Sequence, residues 1–376
     1  MKITSAILLV VMILVPFVHS QMRVDNPKRP LSKNAGRAIN LEEVLRIRDD
    51  GNAAIFRTPQ WLSLGKDCSL FFLDYGEGAR LYRYGPDGRL IFKALKNGQG
   101  PGECKYPSGY FFSGDTIRVP AWIPPKIMDF NPDGRYIRET RIKEDTHGLW
   151  FLASSGGKIY GIRDELFSSA AFRSSGVFSI TNSVYEISSD FETWKKLYEF
   201  PVHMVIKRRT AIRLDMIDAA IQGSFLYILH TAEYRVVKFD LLTARVDRII
   251  TRTYDRVKGV PSKEVDPDPE ARGIDIPSDP YVFDINEIHA VGENLWIFTS
   301  VYKPNGDDQQ VDVFDAAGRF IDSYFLRFPT SERNHRIVRR KALITDDGYL
   351  FIPEQEEDGL VTIGKYKIRD LGLERK

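Results

Sequence analysis

The chain contains little cysteine. Cys68 and Cys104 are the only two in 376 residues, and their separation excludes a Cys-x-x-Cys redox pair. There is no Gly-x-Ser-x-Gly elbow, so a serine-hydrolase site has no support in the sequence. No charge predominates. The 53 Lys and Arg residues face 51 Asp and Glu, a formal net charge of +2, and this argues against a nucleic-acid partner held by a continuous basic surface. Long apolar runs are also missing beyond the first twenty residues, so no membrane span is expected in the mature chain. With hydrophobic residues at 43% and aromatics at 12%, the chain can nevertheless bury a large core.

The N-terminus reads as an export signal. Lys2 precedes an apolar stretch from Ala6 to Val18, and Val18, His19 and Ser20 form the cleavage positions. About 13 apolar residues fall short of the ~20 needed by a membrane helix. Cleavage is expected between Ser20 and Gln21, with the product in the periplasm or secreted. An uncleaved anchor is the other use of such a run. No Cys lies near the cleavage point, so a lipid anchor is not expected. Residues 1–20 are therefore assigned to a signal peptide. Residues 21–40, with Asn26, Pro27, Lys28, Arg29 and Pro30, read as a flexible lead-in, and residues 41–376 as one domain.

What fills that domain is a phrase said six times: a Gly, Asp or Ser turn followed by a short strand-forming run. The runs begin at Leu70, Ile117, Ile159, Phe225, Leu295 and Tyr349. Their spacing of roughly 42 to 70 residues suits propeller blades with loop insertions. An alternating third strand follows each run, for example Leu81 to Tyr84 and Val311 to Phe314. Turns such as Gly85-Pro86-Asp87-Gly88 and Asn131-Pro132-Asp133-Gly134 lead to a fourth strand, with Gly supplying the positive φ. The expectation is an all-β, six-bladed β-propeller of four-stranded antiparallel blades, closed by an N-terminal strand. Ala53 to Arg57 is the segment expected to supply that strand, leaving no open edge. In this scheme Cys68 and Cys104 lie at opposite ends of a strand ~15 Å long. That is beyond the ~7 Å a disulfide tolerates between Cα atoms, so both thiols are expected to be free.

One connection carries a family likeness. Gly98, Gln99, Gly100, Pro101, Gly102 and Glu103 resemble the G-x-G-P-G-E-F link of bacterial exported six-bladed NHL-like β-propellers. That resemblance implies export and a six-bladed ring, and most of its members have no assigned activity. Cys104 stands where that family usually has an aromatic residue. The run is not a phosphate loop, because no Lys-Ser or Lys-Thr pair follows and a strand comes next.

Two kinds of site emerge. Connections from one blade to the next share a face with the pore mouth. Two of them are basic, with Arg208 and Arg209 in one and Arg339 and Arg340 in the other, and they would bind an anionic ligand. Trp122, in the loop Ala121 to Pro125, is expected exposed on that face and able to stack on a sugar; the other four Trp read as core. These residues describe a non-catalytic binder of a small molecule, glycan or protein, as a monomer. The alternative rests on resemblance to six-bladed metal-dependent lactonases and an amidating lyase. It implies a divalent metal in the pore, for which His147, Asp218, Asn286, Glu287 and His289 are the candidate ligands.

Overall fold

The computed structural model describes residues 22–48, 56–76, 78–144, 146–166, 170–207, 210–259, 280–303, 308–327, 342–356 and 359–369. The expected signal peptide and its cleavage point lie outside the described residues. Within them the chain is all-β, with one 3-10 turn at Ala170–Arg173 and no α-helix. The chain opens with Met22–Asn26 (β1) and Arg37–Ile47 (β2). A four-stranded sheet follows from Pro59–Leu64 (β3), Leu70–Asp74 (β4), Arg80–Tyr84 (β5) and Leu90–Ala94 (β6). The second sheet holds Tyr106–Pro107 (β7), Phe111–Ser113 (β8), Thr116–Ile123 (β9), Pro125–Phe130 (β10) and Tyr136–Arg141 (β11); β7 and β8 both pair with β9. The third is Leu149–Ser155 (β12), Lys158–Asp164 (β13), Gly176–Ile187 (β14), Trp194–Lys207 (β15) and Thr210–Arg213 (β16).

Asp218–Gln222 (β17), Phe225–Leu229 (β18), Arg235–Asp240 (β19) and Arg245–Arg252 (β20) form the fourth sheet, with β1 as a fifth strand. Then come Ile285–Val291 (β21), Asn294–Tyr302 (β22), Asp308–Phe314 (β23) and Phe320–Arg327 (β24). Leu343–Ile344 (β25), Tyr349–Gln355 (β26) and Val361–Ile368 (β27) end the series. β2 joins these last two groups into one eight-stranded sheet. The described residues thus form five sheets rather than the expected six separate units. The difference arises because β2 is long enough to pair with β24 through residues 37–40 and with β27 through 41–47.

Apolar side chains alternate along these strands and bury both sheet faces. Phe71 and Leu81 of the first sheet pack with Val119 and Met128 of the second. Val184 and Phe200 of the third pack with Leu226 and Phe239 of the fourth. Phe351 and Ile363, from the chain's end, pack with Phe56, Phe72 and Tyr82 near its start. The last sheet therefore closes on the first, a propeller-like arrangement. The Pro-Asp-Gly turns form as expected: Gly134 N–H donates to Asn131 O at 2.9 Å, at φ 75°. Glycine is needed there twice over, since a Cβ at Gly134 would stand 2.4 Å from the Phe92 ring of the preceding sheet.

The N-terminal segment differs from expectation. Residues 22–40, within the stretch read as a flexible lead-in, make regular strand pairings. β1 lies parallel on β20, and Leu31, Ser32 and Gly36 donate their N–H groups to Phe320, Ile321 and Ser323 of β24. Of Ala53 to Arg57, expected to supply the closing strand, only Phe56 and Arg57 are described. Leu41–Ile47 pairs antiparallel with β27, while Phe56 makes one isolated bridge to Val361; Ala53, Ala54 and Ile55 lie outside the described residues. The physical reason is burial. Ile39, Leu41 and Ile47 are each no more than 5% exposed, and charged neighbours such as Glu42 and Glu43 point outward.

Candidate functional site at the pore mouth

The first strands of four sheets, β3, β12, β17 and β21, start around one cavity of about 780 Å³. Its lining is mixed: Gln60, Ser108, Asn286 and Glu287 are polar, and Trp61, Trp150 and Tyr302 are aromatic. A second pocket of about 490 Å³ is lined by Ser63, Tyr110, Ser154 and His289 among apolar groups. Trp61 and Asp218 line both.

Trp61 is held in an unusual pose. It sits in a bulge of β3 against β4 with φ at 60°, a left-handed conformation costing a non-glycine residue of order 1–3 kcal/mol. The surroundings impose it. The Tyr110 hydroxyl donates to the Trp61 carbonyl at 2.6 Å and lies 2.6 Å from Ser63 Oγ. Gly109, at φ 119°, lets the backbone approach the indole: a Cβ there would lie 3.0 Å from the ring. Trp150 is oriented by its own polar edge, Nε1 donating to the buried Asn182 Oδ1 at 2.8 Å. Arg213 stands 6.0 Å from the Trp150 ring and pairs with buried Asp164 at 3.1 Å. The Tyr75 hydroxyl donates to Pro107 O at 3.1 Å, and burial raises its pKa, keeping it a neutral donor.

Three of the five candidate metal ligands meet at this mouth, namely Asp218, Asn286 and Glu287, with His289 in the adjoining pocket. Each of them makes a polar contact of its own. Asp218 Oδ2 accepts the Ile288 N–H at 2.8 Å, tying β17 to β21. Glu287 Oε2 lies 2.9 Å from His289 Nε2. Asn286 Nδ2 donates to Thr299 O at 3.3 Å. Among the described residues no three His, Cys, Asp or Glu side chains converge to hold a metal ion.

His147 and Trp122 are brought together away from that group. Their rings stack at 3.9 Å and 5°, and Tyr106 stacks with Trp122 at 4.7 Å and 26°. Trp122, expected exposed and able to stack on a sugar, is half-buried in this aromatic pile. Arg208, Arg209, Arg339 and Arg340 lie outside the described residues. Trp61 and Trp150, read from sequence as core, are among the aromatic groups that line the mouth. The available signal is that Gln60-Trp61 interrupts the alternation of β3, as a bulge does.

No family model matches this sequence, and no curated protein sequence matches it. Solved structures do. An exported protein from Bacteroides fragilis NCTC 9343 is similar over 92% of this chain and 100% of its own, at 10% identity and a TM-score of 0.53. A luciferin-regenerating enzyme matches over 89% and 96%, at 13% identity and a TM-score of 0.48. A calcium-binding regucalcin from Agrobacterium tumefaciens strain C58 matches over 89% and 97%, at 12% identity and a TM-score of 0.45. At such identity the first of these is a likeness of fold alone. No helix among the described residues is long and apolar enough to cross a membrane.

Proposed function

We propose that this chain is an exported six-bladed β-propeller of the NHL-like kind that binds a small polar ligand at its pore mouth without catalysis. The eight-stranded sheet reads as two four-stranded blades stitched by β2, which restores six units, each sharing a core with the next. The observation that carries the binding reading is the convergence of Trp61 and Trp150 with Gln60, Ser108 and Asn286 on one cavity. Aromatic faces beside amide and hydroxyl groups suit a ligand with an apolar face and a hydroxylated edge, such as a sugar ring. Export of the mature chain from Gln21, to the periplasm or medium and as a monomer, completes this reading.

The test is a titration of the mature protein with a panel of neutral mono- and disaccharides, read by tryptophan fluorescence and calorimetry. Binding that Trp150→Ala weakens at least tenfold, with the fold retained, is the expected result. Saturable binding that the variant leaves unchanged would place the ligand elsewhere. A second reading, a metal-dependent lyase or lactonase, is favoured by Asp218, Asn286 and Glu287 facing one cavity. Stoichiometric divalent metal in the purified protein, lost in Glu287→Gln, would support it over the binder.

A further inference from the structure

The second pocket lies farther along the strands that open at the mouth. On β3 the mouth takes Gln60 and Trp61, and the pocket takes Trp61 to Leu64. On β12 Leu149 and Trp150 give way to Phe151 to Ser154. On β17 Asp218 is shared and Ala219 follows in the pocket; on β21 Asn286 and Glu287 give way to Ile288 and His289. With a strand rising ~3.3 Å per residue, the pocket is centred roughly 7–10 Å deeper in the pore.

Its lining differs from that of the mouth. Leu62, Leu64, Phe112, Ala153 and Ala342 all contribute to it, and each is only half-buried. They lean on four different cores, and the apolar surface those cores leave over meets here. The polar groups of the pocket have partners within the protein. Ser63 Oγ lies 2.6 Å from the Tyr110 hydroxyl, and His289 Nε2 lies 2.9 Å from Glu287 Oε2.

The end of the pore opposite the mouth is tied together by the turns that follow the first strands. Lys66 Nζ, after β3, donates to Asp115 Oδ1, after β8, at 3.0 Å. Ser155, ending β12, donates its hydroxyl proton to Gly223 O, after β17. Gln222, ending β17, donates to Gly292 O, and the Gly292 N–H donates to Asp346 Oδ1 at 2.7 Å.

We propose, resting on the reading of the mouth as a site for a hydroxylated ring, that mouth and second pocket form one well entered from the mouth. The well takes an elongated amphiphile: a glycoside whose sugar sits at the mouth and whose short alkyl or aryl arm reaches the pocket below. At about 490 Å³ the pocket is of small-molecule size. Each methylene buried there is worth about fourfold in affinity.

The experiment is calorimetric titration of the mature protein with methyl β-glucoside, hexyl β-glucoside and hexanol, in the parent and in Ser154→Phe. Ser154 lines the pocket from an exposed position, so a phenyl ring there fills the pocket without entering a core. Hexyl β-glucoside should bind at least tenfold more tightly than methyl β-glucoside, and Ser154→Phe should erase that gain. Equal affinity for the two glucosides, or a gain that the variant retains, overturns the well and leaves the sugar reading of the mouth in place. Hexanol and hexyl glucoside binding that Ser154→Phe abolishes, without binding of methyl glucoside, keeps the apolar subsite and removes the sugar from the mouth. Silence from all three probes overturns both. Should Ser154→Phe fail to fold, butyl and pentyl glucosides on the parent decide: affinity must climb with each added carbon, and a flat series overturns the well.

Discussion

His230 gives one residue a hold on the stability of the whole ring. Its side chain is buried, tilted against Phe200 with ring centroids 4.8 Å apart, and its Nε2 has no hydrogen-bond partner. Burial first, and then the charge of Arg235, lower its pKa from 6.5 to about 4. The unfolded chain therefore takes up this proton before the folded one does. The stabilisation is fully present above about pH 6.5 and is lost as pH falls toward 4. A shift of this size corresponds to roughly 3 kcal/mol at most. His230→Phe should flatten the fall in unfolding free energy between pH 7 and 4, measured by urea denaturation. An unchanged slope would assign that acid sensitivity to other groups.

The thiols differ by the same physics. Cys104 is fully buried, and burial raises its pKa to about 12, whereas Cys68 is exposed in a turn at φ 60°. Only the thiolate reacts with an alkylating agent. Iodoacetamide at pH 8 should therefore label Cys68 promptly and Cys104 only after denaturation, with two thiols found in all without reductant. Equal labelling rates would show that the core around Cys104 opens readily.

At the scale of elements, the Gly98 to Glu103 connection is explained by its hydrogen bonds. Glu103 N–H donates to Gly100 O at 3.0 Å, and Gly100 N–H returns a bond to Glu103 Oε2 at 3.1 Å. Lys126, at 1% exposure, then latches the turn, donating to Gly100 O at 2.9 Å and Glu139 Oε2 at 2.7 Å. Breaking a buried pair from one side costs about 3–5 kcal/mol. Lys126→Met should cost somewhat less, because Glu139 keeps partial access to water. Unfolding curves that match the parent would remove the latch from the account.

Asn26 does comparable work where β1 ends. Its Nδ2 donates to Thr251 O at 3.0 Å and Gly318 O at 2.9 Å, and its Oδ1 accepts the Phe320 N–H at 2.8 Å. One side chain thus fastens the N-terminal strand to two successive β-units. Asn26→Ala would leave these buried backbone groups without partners, at about 1–3 kcal/mol each before relaxation. The measurement is thermal unfolding, and an unaltered midpoint would show that water replaces the amide.

Over the whole molecule, the N-terminal segment acts as a belt. It lies on β20, then β24, then β27, so it holds three consecutive units from outside. A buried polar link joins the first two of these units beneath it. Asp312, with no exposure, accepts from Tyr234 at 2.7 Å and from Arg252 at 2.6 Å. Removing residues 22–36 should lower the unfolding midpoint and speed hydrogen exchange in β20 and β24, while β4 and β5 stay protected. Uniform protection throughout would show that the belt adds nothing to ring closure.

The all-β character, the repeated turn-and-strand phrase and the Pro-Asp-Gly turns could be read from the chain, because each depends on neighbours a few residues apart. A period of two and a glycine at positive φ are local requirements, and they survive without knowledge of the partner strand. The belt was not legible, because a parallel strand returns from a distance with no tight turn to announce it; β1 meets β20 more than two hundred residues away. Its buried residues, Ile39 and Leu41, do alternate with Asn40 and Glu42, yet nothing nearby says which edge they cover. The site divides in the same way. Asp218, Asn286 and Glu287 were candidates by their positions at strand starts, and the ring brings them to one cavity. Trp61 and Trp150 were read as core, since an indole in a strand is usually buried. Only the radial packing of separate sheets turns those two rings toward the pore mouth, because which face a side chain takes is set by bulges and by the neighbour it must avoid.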